Sequence, residues 1–182
     1  MTNRIRTLVI AAAVIALPGM ASAQDRTLNV GYTDIGAVIG LGGIGDAGLA
    51  FGGRFERIIR ELPELGTGTI GLQVSADVWS YDYGLSDNYS FRYIPIGVTG
   101  NYHFNLANKK LVPFVGVGLG YTIISCSYDD DNIFGIDVCP NSAIYFIGKA
   151  GARYFFKENM ALYGDVGAGA ATLNVGLVFK VR

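Results

Sequence analysis

Seven charged side chains stand in segments where apolar and polar residues alternate: Arg54, Glu56, Asp77, Lys149, Arg153, Asp165 and Lys180. All of them occupy the face opposite the apolar one. With four bases and three acids, the set can largely neutralise itself by pairing. Charges enclosed in a narrow space must pair, because an isolated buried ion is strongly destabilising. Three other stretches look chemical. Asp129-Asp130-Asp131-Asn132 offers oxygen ligands for a hard cation, but it lacks the spacing and bidentate glutamate of a calcium loop. It reads as a solvated acidic loop, and no metal site is expected. Gly40-Leu41-Gly42-Gly43-Ile44-Gly45 matches the glycine spacing of a dinucleotide turn. That motif requires a helix directly after it, whereas another alternating segment follows here, so no cofactor is expected. His103 is the single histidine. It shares a face with Tyr93, Gly97, Thr99 and Asn101, and no Ser-His-Asp set can form elsewhere.

The elements that carry these residues are strands. A strict period of two marks a β-strand with one face in an apolar medium and the other in a polar one. The clearest case is Thr172 to Val181, where Leu173, Val175, Leu177, Phe179 and Val181 alternate with Asn174, Gly176, Val178 and Lys180. The same pattern predicts strands over 34–42, 49–57, 70–80, 92–104, 111–123, 144–156 and 160–168. Residues 54–65 also carry Phe55, Ile58, Ile59, Leu62 and Leu65 at helical spacing before Pro63, so a short helical turn is expected after Arg57. Eight antiparallel strands of about nine to eleven residues or more are the pattern of a bilayer-spanning barrel. Eight is also the size at which side chains just fill the interior. The expected fold is therefore all-β, an eight-stranded antiparallel up-and-down transmembrane β-barrel with grease outside and charges inside. A soluble binding barrel would have the opposite polarity.

Residues 1–23 read as a cleavable signal peptide, with Arg4 and Arg6 ahead of an apolar run and Ala21-Ser22-Ala23 as a cleavage site. The run is too short for a spanning helix, which needs roughly 20 residues. Cleavage between Ala23 and Gln24 leaves 24–182 as one barrel domain. A formal net charge of −1 over 182 residues gives no reason to expect a nucleic-acid partner. Glycine is abundant (26 residues), as are Tyr (11) and Phe (10), a mixture at home in a barrel whose strands approach closely. In an exported chain, Cys126 and Cys139 favour a disulfide. Closing that loop would contribute about 3 kcal/mol in the chain-entropy model. Tyr81, Tyr83, Tyr89, Tyr93, Tyr102, Tyr121, Tyr154 and Trp79 lie near strand ends, where interfacial aromatic girdles account for several of them, above all the outward Tyr102, Tyr121 and Tyr154. Strand parity assigns links 61–67, 105–110 and 157–159 to the periplasm. Links 43–48, 82–88, 128–141 and 169–171 fall outside the cell.

The mature chain resembles the small outer-membrane β-barrel domain family, the OmpA/OmpX-like "porin family" proteins. Pro113-Phe114-Val115-Gly116-Val117-Gly118-Leu119-Gly120-Tyr121 resembles that family's mid-barrel strand. Asn174, Gly176, Phe179 and Val181 resemble the signal read by the barrel-assembly machinery, although the chain ends Val181-Arg182 rather than on an aromatic residue. The resemblance implies an integral outer-membrane protein with a structural or surface-interaction role. Its implied partners are outer-membrane lipids, lipopolysaccharide, and the assembly machinery and periplasmic chaperones during insertion. A monomer is expected. Enzymatic barrels of this size place histidine near the external rim, whereas His103 lies two residues before the expected periplasmic turn, so no enzyme is expected. A small channel or carrier for a hydrophobic or ionic solute is the alternative, since the glycines of 116–120 would leave room inside. A soluble periplasmic binding barrel is the second alternative.

Overall fold

The computed structural model describes residues 28–43, 48–65, 67–83, 89–128 and 141–182. Within them the chain forms β1 (Thr33–Gly43), β2 (Leu49–Glu61), β3 (Thr69–Tyr83), β4 (Tyr89–His103), β5 (Leu111–Tyr128), β6 (Ala143–Lys157), β7 (Met160–Ala168) and β8 (Ala171–Lys180). Each strand pairs antiparallel with the next and β1 closes on β8, giving one closed barrel. Ile39 opposes Phe51 on one side and Val175 on the other, so three outward residues meet in one row. Closure removes every sheet edge and satisfies the backbone internally, which is what a strand needs in hydrocarbon.

The faces divide as the alternation predicts. Ile35, Ile39, Phe51, Phe55, Val74, Val98, Leu119, Leu162 and Val175 lie exposed on the outer wall. Glu56, Asn101, His103 and Arg153 are buried within. This polarity is the reverse of a soluble barrel that carries an apolar ligand pocket.

One sequence expectation is corrected. The helical turn after Arg57 does not form: β2 runs on to Glu61, and only Pro63–Leu65 make a 3-10 turn. The ladder steps from Ile58↔Gly71 to Arg60↔Ile70, leaving Ile59 as an extra, bulged residue. Ile58 points inward and is fully buried, while Ile59 is exposed. Apolar residues on both faces beside a bulge therefore mimic helical spacing. Of the aromatics near strand ends, Trp79 and Tyr93 take the inward direction that their parity gives and belong to no girdle. Trp79 is fully buried in the lumen with Ala50 and Ala171, and Tyr93 packs against it. Tyr121 and Tyr154 do lie exposed on the outer wall. Tyr102 makes an edge contact with Phe104 at 4.9 Å between centroids. The side chains of Tyr81, Tyr83 and Tyr89 lie outside the described residues.

A second apolar cluster fills the lumen toward the rim that carries both ends of the barrel. It holds Tyr32, Ile58, Val112, Phe114, Phe155 and Tyr163 among others. Phe114 stacks on Tyr163 at 5.6 Å. The charged residues lie in and between these two plugs.

Candidate functional site

The lumen is the place where chemistry-bearing side chains converge, and strand register builds it. Glu56 directly opposes Gln73 across β2 and β3, and Asp165 opposes Asn174 across β7 and β8. Both pairs are hydrogen-bonded: Gln73 Nε2 donates to Glu56 Oε2 at 3.0 Å, and Asn174 Nδ2 to Asp165 Oδ1 at 2.8 Å. Glu56 Oε1 also accepts from Asn101 Nδ2 at 3.1 Å and lies 2.6 Å from His103 Nε2. Arg153 reaches from β6 across the lumen, donating through Nη2 to Glu56 Oε2 and placing Nη1 3.4 Å from Asp34 Oδ2. Its guanidinium lies 5.8 Å from the Phe114 ring and 5.9 Å from the Tyr163 ring.

Toward the other rim, Arg54 donates to Asp77 Oδ1 at 2.8 Å and to Asn174 Oδ1 at 3.1 Å. The Tyr163 hydroxyl donates to Asp165 Oδ2. Lys149 joins the halves. Its ammonium donates to Gln73 Oε1 and, at 3.4 Å, to the Tyr163 hydroxyl, and it lies 3.8 Å from Asp165. Gln73 thus accepts from Lys149 while donating to Glu56. The two charge clusters form one connected network.

Inward glycines make the space for it. A Cβ on Gly71 would strike the Glu56 carboxyl, one on Gly52 the Asp77 carboxyl, and one on Gly116 the Asn101 amide. The β5 glycines expected to line an open passage are covered: Asn101 lies over Gly116, Thr99 over Gly118 and Tyr145 over Gly120. Among the described residues one small space, of about 30 Å³, lies beside Arg54, Asp77, Lys149 and Asp165, and another, of about 10 Å³, beside His103 and Thr69. A water molecule needs roughly 10–15 Å³ on this measure.

Three solved structures share this architecture. OprG from Pseudomonas aeruginosa aligns with a TM-score of 0.55 at 14% identity, covering 87% of this chain and 100% of that one. Outer membrane protein W of E. coli aligns at 0.53 and 14%, covering 84% and 98%. Ail, the attachment invasion locus protein of Yersinia pestis, was solved with the heparin analogue sucrose octasulfate. It aligns at 0.52 and 14%, covering 84% and 96%. The chain has the fold of a small outer-membrane β-barrel. No family model matches it, and no curated protein does. Fold, outward grease and enclosed charges agree on an outer-membrane barrel.

Of the seven charged residues singled out in the sequence, this barrel brings six together: Arg54, Glu56, Asp77, Lys149, Arg153 and Asp165. Lys180 is not among them. It ends β8 at the mouth, where it is solvent-exposed, and its ammonium sits 5.7 Å from the Tyr32 ring. Asp34 takes its place as a charged lumen residue, so three bases face four carboxylates rather than the reverse. The inward parity of Asp34 with Gly36, Val38 and Gly40 was a signal available in the sequence. His103 was placed inward correctly, but its contact with Glu56 could not be read from spacing.

Asn174 lies in the lumen, whereas Phe179 and Val181 face outward and Gly176 packs on the backbone of Ala37 and Val38. The glycine motif is strand as far as Gly43. Ala23, Gln24, Asp129 to Asn132, Cys139 and the side chain of Cys126 lie outside the described residues.

Proposed function

We propose that this chain is a structural or surface-interaction protein of the outer membrane, with a lumen closed to solutes. The observation that carries this reading is the pairing of Arg54 with Asp77, Lys149 with Asp165 and Arg153 with Glu56, beside spaces of about 30 and 10 Å³ among the described residues. A conducting pore needs continuous water, and aromatic plugs lie above and below the charges. The covered glycines of β5 weigh against a channel or carrier. An enzymatic role is also disfavoured, because the one histidine contacts Glu56 inside the wall and is 2% exposed.

Function then resides outside the lumen, on the bilayer face and the external loops. The link between β5 and β6 is the longest in sequence and carries Asp129, Asp130 and Asp131. Its acidity argues against the sulfated polyanion class represented by the ligand of Ail. The same reading includes export through a signal peptide at 1–23 cut between Ala23 and Gln24. It also includes a Cys126–Cys139 disulfide at the feet of that loop. Delivery by periplasmic chaperones and insertion by the assembly machinery would use Asn174, Gly176, Phe179 and Val181. The inserted protein works as a monomer among phospholipid and lipopolysaccharide.

Planar-bilayer recording tests the closed lumen. The refolded protein is expected to give no steady current, and reproducible unitary conductance would overturn the reading. Heat-modifiable gel migration of the membrane fraction reports the folded barrel itself.

A further inference from the structure

At the rim that carries both ends of the barrel, a cleft of about 380 Å³ opens beside Tyr32, Arg57, Lys180 and Arg182. Among the described residues no acidic side chain lines it. Among the described residues none of its three cations forms an ion pair, in contrast to the fully paired bases of the lumen. The walls are fixed. Gly31 N donates to Ile58 O at 2.9 Å, Thr33 N to Arg182 O at 3.0 Å, and Val181 N to Thr33 O at 2.8 Å. The Tyr32 ring holds the Lys180 ammonium at the mouth.

The cleft is also continuous with the bilayer face. Arg57 pairs in register with Leu72, an exposed outer-wall residue, so its side chain belongs to the lipid-facing set at the hydrocarbon boundary. Beneath it, Ile35 opposes Phe55 on one side and Phe179 on the other, an exposed apolar row spanning β2, β1 and β8. Cations above a greasy row match a phosphate joined to acyl chains. Guanidinium groups bind phosphate oxygens through paired N–H donors.

We propose that this cleft seats the phosphate of an anionic phospholipid in the leaflet nearest this rim. Arg57, Lys180 and Arg182 hold the head, and Ile35, Phe55 and Phe179 support the chains. The proposal rests on the membrane reading above, and its test separates the two. The barrel folded in a nonionic detergent is titrated with phosphatidylglycerol or phosphatidylcholine, and bound lipid is counted by native mass spectrometry.

Wild type is expected to retain phosphatidylglycerol in preference to phosphatidylcholine. R57Q/K180Q/R182Q is expected to weaken that retention by roughly a hundredfold at low salt, and R57Q alone by roughly fivefold. R92Q, at the opposite rim, is expected to leave it unchanged. R57Q alone decides the matter if the triple variant does not show heat-modifiable folding. Unchanged retention in the rim variants overturns the proposal, as does equal loss in R92Q or equal retention of the two lipids. Displacement by inorganic phosphate at matching concentration would assign the cleft to a free anion and overturn the lipid. Release of the protein from membranes without detergent would sink the membrane reading. A detergent-dependent barrel with no lipid preference sinks only the cleft.

Discussion

Replacing Arg153 by Met removes the cation that, among the described residues, pairs with both Glu56 and Asp34. All three side chains are fully buried. At 3.4 Å from Asp34, the gross attraction is about 5 kcal/mol at an effective dielectric near 20. Much of that is offset by the desolvation of the ions, so the pair adds less to stability than the attraction suggests. Deleting one partner is different, because two carboxylates then stay in the lumen without their guanidinium, and among the described residues Glu56 keeps only Gln73, Asn101 and His103. The expected loss is about 3–5 kcal/mol, the range for breaking a buried pair from one side. Met keeps most of the length of the aliphatic stem, but the guanidinium contact with the Phe114 and Tyr163 rings is lost with the charge. Glu56→Gln is expected to cost less, about 2–3 kcal/mol, because Asp34 still faces Arg153 and the amide oxygen still accepts a hydrogen bond. In the double variant the two losses should fall short of additive by more than 1 kcal/mol, as contacting residues do. Urea unfolding in vesicles, approached from both directions, measures this through the fluorescence of Trp79, the single tryptophan. A loss under about 1 kcal/mol for Arg153→Met, or strict additivity, would refute a dry, paired lumen.

Gly71→Ala should destabilise by about 1–3 kcal/mol through overpacking against Glu56 and the Ile58 Cδ1, which lies 3.0 Å from the added carbon. Gly148→Ala, facing outward with nothing within 4 Å, should stay within about 0.5 kcal/mol. The same urea midpoints check both, and equal effects would contradict the inward placement of Gly71. Val175→Arg puts a charge on the outer wall and should cost about 2–4 kcal/mol if the residue lies near the bilayer midplane. A neutral outcome in vesicles would show that this face is wetted. The Cys126–Cys139 disulfide is checked by alkylation and mass measurement before and after reduction. Alkylation of the unreduced, denatured chain would rule it out.

All eight strands were legible because the period of two is local: each residue's face depends only on its neighbours along the chain. Leu173, Val175 and Leu177 announce the outer wall without reference to any other strand. The helical reading of Ile58, Ile59 and Leu62 failed because a bulge is a property of two strands, and only the ladder to β3 reveals it. Lys180 was misplaced for a related reason. Parity gives direction but not depth, and at the mouth an inward direction ends in water. Trp79 and Tyr93 lie near strand ends, as a girdle would require, but their parity points inward and the structure follows the parity.

The chain by itself determines strand faces, the polarity of the wall and the list of residues that enter the lumen. Which of them meet is decided only by closure and register. Arg153 finds Glu56 and Asp34 from across the barrel, a contact that depends on strand stagger and tilt. Glycine carries the same division. Its abundance is visible in the composition, but that Gly52 and Gly71 leave space for Asp77 and Glu56 follows from packing between strands. Alternation acts over a few residues along one strand, whereas charge pairing acts across a diameter that exists only once β1 meets β8.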